Sequence, residues 1–149
     1  MRLDVLNLLV GLAATLFMTG VIWVIQVVHY PLFAQVGSAQ FGLYHTGHNA
    51  RITLVVLLPM LIEALTALVL VVARPTGVPL WTALLGLALV GVIWGSTFLL
   101  QVPYHNQLAT LAGEESRAAI AGLVATNWLR TLAWTARSLL MLGVVATLL

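Results

Sequence analysis

The chain has 149 residues, 62% of them hydrophobic and 7% charged. Its mean hydropathy of +1.09 means more apolar surface than a soluble domain can bury. There is no lysine, and six arginines against four acids leave a formal charge of +2, too sparse and scattered for a nucleic-acid surface. The absence of cysteine excludes disulfides, thiolate metal sites, iron–sulfur clusters and thiol redox chemistry, so a metal would rest on His, carboxylate or amide ligands.

The first apolar run, Val5 to Val28, is longer than the core of a signal peptide and has no small-residue cleavage site behind it, so it reads as a retained span. A helical crossing takes about 20 apolar residues, and three further stretches qualify: Ile52 to Ala73, Leu80 to Val102 and Leu129 to Leu149. The expected fold is all-α, an integral membrane four-helix transmembrane bundle forming one domain over residues 1–149, multi-pass in the cell membrane. Arg74-Pro75-Thr76-Gly77-Val78-Pro79 is a breaker-rich turn that makes the second and third helices antiparallel neighbours. His29 to Arg51 and Pro103 to Leu129 form longer connections on the side opposite both termini, although the second helix can begin near Ser38. Pro31 and Pro103 are expected to terminate the first and third helices. Pro59, inside the second, frees the carbonyl of Val55 and bends the helix. If Arg51 and Arg130 point inward and are discounted, the positive-inside rule puts the termini in the cytoplasm.

An internal repeat is faintly visible. Gln26-Val27-Val28-His29-Tyr30 and Gln101-Val102-Pro103-Tyr104-His105 stand at corresponding helix ends. His48-Asn49-Ala50-Arg51 and Asn127-Trp128-Leu129-Arg130 then open the next helices. A duplicated helical hairpin gives this pattern, with an axis along the membrane normal; so does chance.

Helical residues advance by about 100° each, which gathers the polar side chains into four stripes. These are Thr15, Thr19, Gln26 and His29; His45, His48, Asn49 and Glu63; Trp94, Thr97 and Gln101; and Asn127, Arg130, Trp134, Arg137 and Ser138. Polar groups facing lipid are costly, so the stripes are expected to turn inward and meet. The Thr and Ser residues serve mainly as hydrogen bonds between helices. Glu63 and Arg137 lie deepest and are expected to form a structural ion pair, Glu63 being otherwise a proton acceptor or metal ligand. Trp81, Trp128, Tyr30 and Tyr104, near helix ends, read as interfacial anchors, and Glu114, Glu115 and Arg117 as a solvated loop face.

All four histidines fall toward the side opposite the termini. His45 and His48 have the i, i+3 spacing that lets two imidazoles share a metal, with His29 and His105 as further ligands. A proton-transfer role needs only one histidine, whose unperturbed pKa of about 6.5 suits it to take a proton. Arg51 and Arg130 near that level make the site net positive, which fits an anionic ligand or a developing enolate or phenolate. Each of them alone can equally snorkel to lipid phosphates.

The strip Val102-Pro103-Tyr104-His105-Asn106-Gln107-Leu108, followed by Asn127-Trp128-Leu129-Arg130-Thr131, resembles the second half of the anthrone oxygenase-like family of small membrane proteins. There a Pro and an Asn end the third helix, and a Trp and an Arg open the fourth. The resemblance covers about a third of the chain and implies a four-helix membrane fold. It also implies, for some members, insertion of dioxygen into activated polyketide aromatics without an obvious cofactor, with His105, Asn106, Asn127 and Arg130 lining the site. The first half departs from it, since His29, His45 and His48 supply more imidazoles than such a reaction needs.

The leading expectation is therefore a membrane oxidoreductase or oxygenase acting on a lipophilic, acidic small molecule. His45, His48, His105, Asn106 and Arg130 would be catalytic, with Gln26, Arg51, Gln101, Asn127 and Trp134 binding substrate, and the cofactor is left open between none and a His-bound metal or haem. The first alternative is a metal or haem protein liganded by His29, His45, His48 and His105, working in electron transfer, metal handling or transport. The second is a non-catalytic partner in membrane assembly, for which polar stripes on an outer face would join a homo-oligomer or other membrane proteins.

Overall fold

The computed structural model describes residues 2–111 and 113–148, the side chains of Gly113 and Glu114 excepted. Glu114 of the expected loop face and Leu149 of the expected fourth span therefore lie outside what is described. Four helices follow one another: α1 (Leu3–Gln35), α2 (Ser38–Val72), α3 (Leu80–Leu108) and α4 (Gly113–Ala146). No strand occurs among the described residues. All four are long and apolar enough to cross a bilayer. α1 packs on α2 and α4, and α3 packs on α4 and α2, so the chain runs up, down, up and down around a ring.

The helices overrun the apolar windows that announce them. At 1.5 Å per residue, a helix of 33 residues such as α1 is about 50 Å long against a hydrocarbon core of about 30 Å. The expected long connections are thus mostly helix: α1 runs on to Gln35, and α2 begins at Ser38. Hydropathy marks the part of a helix that lipid touches, and a helix continues past that level wherever its own hydrogen bonds and packing support it.

Pro31 and Pro103 do not end their helices, contrary to the sequence expectation. A π-helical segment, Ile25–His29 in α1 and Thr97–Gln101 in α3, precedes each proline by two residues. Proline has no N–H and its ring crowds the carbonyl four residues back. Widening the preceding turn absorbs this: Tyr30 N–H reaches the carbonyl of Ile25 and Val102 N–H that of Thr97, five residues back in each case. Such bulges re-aim the side chains beyond them and are frequent at functional sites. The two bulges match with Pro31 opposite Pro103, a register three residues away from the one that pairs Gln26 with Gln101.

The outward surface is apolar, with Leu54 and Leu99 among its most exposed side chains, as lipid contact requires. Inside, Leu8, Leu12, Leu70, Ala83 and Met141 pack into an apolar layer toward the termini. A larger cluster that includes Met18, Ile22, Phe33, Ile93 and Leu123 fills the other half. The four polar stripes run inward between these side chains.

Candidate functional site

At mid-bundle, Glu63 and Arg137, 2% and 1% exposed, come within 3.6 Å through Oε1 and Nε. Thr15 bridges them, accepting from Arg137 Nε at 3.1 Å and donating to Glu63 Oε1 at 2.8 Å. Trp134 Nε1 donates to Glu63 Oε2 at 2.9 Å, and Arg137 Nη1 donates to the carbonyl of Gly86 at 2.7 Å. Gly86 permits that approach, because a Cβ there would stand 3.1 Å from Nη1. A buried pair held by this many hydrogen bonds is part of the architecture; losing one partner strands the other charge.

Nearer the histidine side, Asn127 Nδ2 donates to Gln26 Oε1 at 2.8 Å, and Gln26 Nε2 donates to the carbonyl of Val124 at 3.1 Å. These bonds fasten α1 to α4. Gln26, Asn127 and Trp134, expected to bind substrate, do not line the cavity described next: they are buried between helices and engaged with one another or with Glu63.

That cavity, of about 270 Å³, opens between α2 and α3. Arg130 and Tyr30 reach it from α4 and α1, with Gln101, His105 and Asn106 on α3 and Asn49 on α2. Two of these residues, Tyr30 and His105, belong to a hydrogen-bonded chain. Tyr30 Oη lies 3.0 Å from His105 Nε2, and His105 Nδ1 lies 3.0 Å from His45 Nε2. The Arg130 guanidinium lines the same cavity as the Tyr30 phenol without a hydrogen bond to it, and rests over the Trp134 ring, 5.3 Å from its centroid. As donor, the Tyr30 phenol directs its proton to His105 Nε2, and neutral His105 then carries its hydrogen on Nδ1 and donates it to His45; as acceptor, the phenol reverses both bonds.

Tyr30 is the residue of this candidate site that sequence reasoning missed. It stands at the end of an apolar span, the position of an interfacial anchor, yet it is only 3% exposed. The π-helical turn just before it rotates it inward, and no local sequence pattern announces that rotation. Arg51 departs from expectation in the other direction. It is exposed, donates to the carbonyl of Gly47 at 3.1 Å, and lies outside the α2–α3 cavity. The environments of Arg51 and Arg130 therefore differ, although both open a helix in the sequence repeat.

His29 and His48 form a second pair, Nε2 to Nδ1 at 2.8 Å. The His48 ring lies 5.8 Å from that of His105. All four expected histidines thus gather in one region, but as two pairs. Among the described residues, no three His, Cys, Asp or Glu side chains are arranged to hold a metal ion. Several buried polar atoms have no hydrogen-bond partner among the described residues: Arg130 Nε, Gln101 Oε1, Asn127 Oδ1, His48 Nε2 and Arg137 Nη2. Two of the side chains concerned, Arg130 and Gln101, line the α2–α3 cavity.

Compared with protein-family profiles, with curated proteins and with solved structures, the chain finds no match in any of the three.

Proposed function

We propose that this chain is a membrane-embedded enzyme, an oxidoreductase of oxygenase type, that ionises a lipophilic, weakly acidic small molecule and holds the resulting anion. The observation that carries the reading is the Tyr30–His105–His45 series beside Arg130, which brings a buried cation and a hydrogen-bonded path for protons to one cavity. No carboxylate among the described residues pairs with Arg130, the nearest buried acid, Glu63, being held by Arg137, Thr15 and Trp134. A developing enolate or phenolate is the charge such a site favours.

The residues supply a balanced proton transfer. The substrate proton passes to the Tyr30 oxygen as the phenolic proton moves to His105 Nε2, and the Nδ1 proton of His105 moves to His45 Nε2. His45 ends as imidazolium and the substrate anion lies against Arg130. In the oxygenase form, with dioxygen as oxidant, the carbanion formed at a CH₂ carbon adds dioxygen to give a peroxide anion, which takes back the proton held on His45 through His105 and Tyr30 to become a hydroperoxide. Loss of water then leaves a ketone, so that one oxygen atom stays on carbon and the other leaves as water. Past Glu63 the interior is mainly Leu8, Leu12, Leu70, Ala83 and Met141, with the buried hydroxyls of Thr66 and Thr82 bonded to backbone carbonyls of their own chain segment, which favours a one-sided reaction site over a conduit. Dioxygen chemistry rests on the family resemblance alone.

The test uses the protein in maltoside micelles with 2-naphthol and anthrone as probes. Wild type is expected to bind naphthol in its anionic form, read by absorbance, and to consume dioxygen with anthrone. Arg130→Gln is expected to lose the anion signal, while Tyr30→Phe and His105→Ala lower oxygen uptake on the order of 100-fold, within the range of general acid–base contributions. Folded wild type that neither ionises naphthol nor takes up oxygen overturns the reading, as do variants that behave like wild type. Stoichiometric metal lost in a His45→Ala, His48→Ala double variant would favour the metal or haem alternative instead.

A further inference from the structure

A second cavity, of about 840 Å³, lies on the outer face between α1 and α2. We propose that it is a lipid-facing binding site for a single-chain amphiphile with an anionic head, the tail lying along α1 from Leu16 to Ile25 and the head at His29, His48 and Arg51. The substrate of the proposed reaction would then be a long-tailed acid taken from the bilayer. Binding stands independently of that reaction, and only the fate of the head rests on it.

Shape and polarity carry the inference together. The cleft runs from Leu16 to His29, 13 residues or about 20 Å at the helical rise, and Phe17, Val21, Val24 and Val55 make its walls apolar. Gly20 keeps the groove open, because a Cβ there would meet nothing within 4 Å. The polar groups, His29, Tyr44, His48 and Arg51, sit together at one end, and among the described residues no carboxylate lines the cleft. That end is built to hold the cation: Arg51 Nη1 donates to the Gly47 carbonyl at 3.1 Å, and a Cβ at Gly47 would stand 2.8 Å from it. Among the described residues Arg51 makes only this side-chain hydrogen bond, which leaves its remaining donors for an anion. A groove open to lipid admits molecules dissolved in lipid, and an apolar length with one cationic end selects an amphiphilic acid. Ile25 and Ile52 line both cavities and form the wall between the cleft and the Tyr30 site.

Native mass spectrometry of the protein released from maltoside micelles, titrated with palmitate and separately with hexadecanol, tests the site. Wild type is expected to hold one palmitate at least tenfold more tightly than hexadecanol. Gly20→Phe, which fills the groove, should weaken palmitate at least tenfold at an unchanged melting temperature. Arg51→Gln should bring acid and alcohol to the same affinity. Wild-type palmitate affinity in Gly20→Phe, or no preference for the acid in wild type, overturns the proposal; should Gly20→Phe fail to fold, Arg51→Gln decides. Tyr30→Phe separates the two readings. Palmitate binding that survives in it while oxygen uptake is lost supports both; no uptake in wild type with palmitate bound removes the reaction and leaves the site.

Discussion

Trp134 joins two charged centres: its indole N–H donates to Glu63 Oε2 over 2.9 Å, and its ring carries the Arg130 guanidinium 5.3 Å from the centroid. The residue that completes the mid-bundle ion pair also positions the cation of the cavity. Trp134→Phe keeps an aromatic face and removes the donor, so it is expected to cost about 1.5–3 kcal/mol of stability, the range for a hydrogen bond to a charged group, and to spare most anion binding. Trp134→Leu removes both and should lose anion binding as well. Unfolding in mixed detergent–SDS micelles and naphthol absorbance read the two effects separately.

Glu63 and Arg137 stabilise the bundle only as a pair. Removing either partner, by Glu63→Gln or Arg137→Met, is expected to destabilise by about 3–5 kcal/mol because the other group is stranded in the interior. The double variant should be more stable than the sum of the two losses implies. A double-mutant cycle in the same unfolding assay measures the coupling; additive losses would mean that the two groups are stabilised separately.

The tautomer order along the proton path is directly observable. With Tyr30 donating to His105 Nε2, His105 is expected to hold its proton on Nδ1, and ¹⁵N NMR of selectively labelled protein distinguishes that tautomer from the Nε2 form. Tyr30→Phe removes the group that sets the order and should give a mixture of both tautomers. A wild-type His105 protonated on Nε2 would reverse the direction of the path.

The two π-helical segments make a prediction about deletions. Each accommodates a surplus residue in its turn, so deleting Leu99, which lies in the α3 bulge and faces outward, is expected to relax that turn to a regular helix. Deleting Leu85, also outward but in regular helix, turns every preceding or following side chain by about 100°. The Leu99 deletion is therefore expected to keep the higher melting temperature of the two, although it moves Gln101 or its neighbours enough to impair the cavity. Equal loss in both would mean that the bulge is not a surplus residue.

The number of helices and their inward faces are legible in the sequence because lipid imposes them. Apolar length sets each span, and the cost of exposing Thr15, Gln26, Glu63, Asn127 and Arg137 to hydrocarbon turns the stripes together. Where each helix ends is not legible in this way, since Gln35 and Leu108 close helices at levels where hydropathy has already fallen. The inward turn of Tyr30 depends on a single wide turn before Pro31, a backbone adjustment that composition does not encode. Arg51 and Arg130 read alike because both open a polar face. One is nevertheless exposed beside Gly47 and the other is buried over Trp134, a difference set by neighbours on other helices.

The layer of Leu8, Leu12, Leu70, Ala83 and Met141 has an electrical meaning. In an energised membrane most of the potential falls where water and polar groups are absent, and carrying one charge across the whole drop takes about 2.3 kcal/mol per 100 mV. A proton that moves from the cavity to His45 stays on the histidine side of that layer throughout. The reaction proposed here would then run at the same rate in an energised and a depolarised membrane, because its protons never leave the histidine side of that layer.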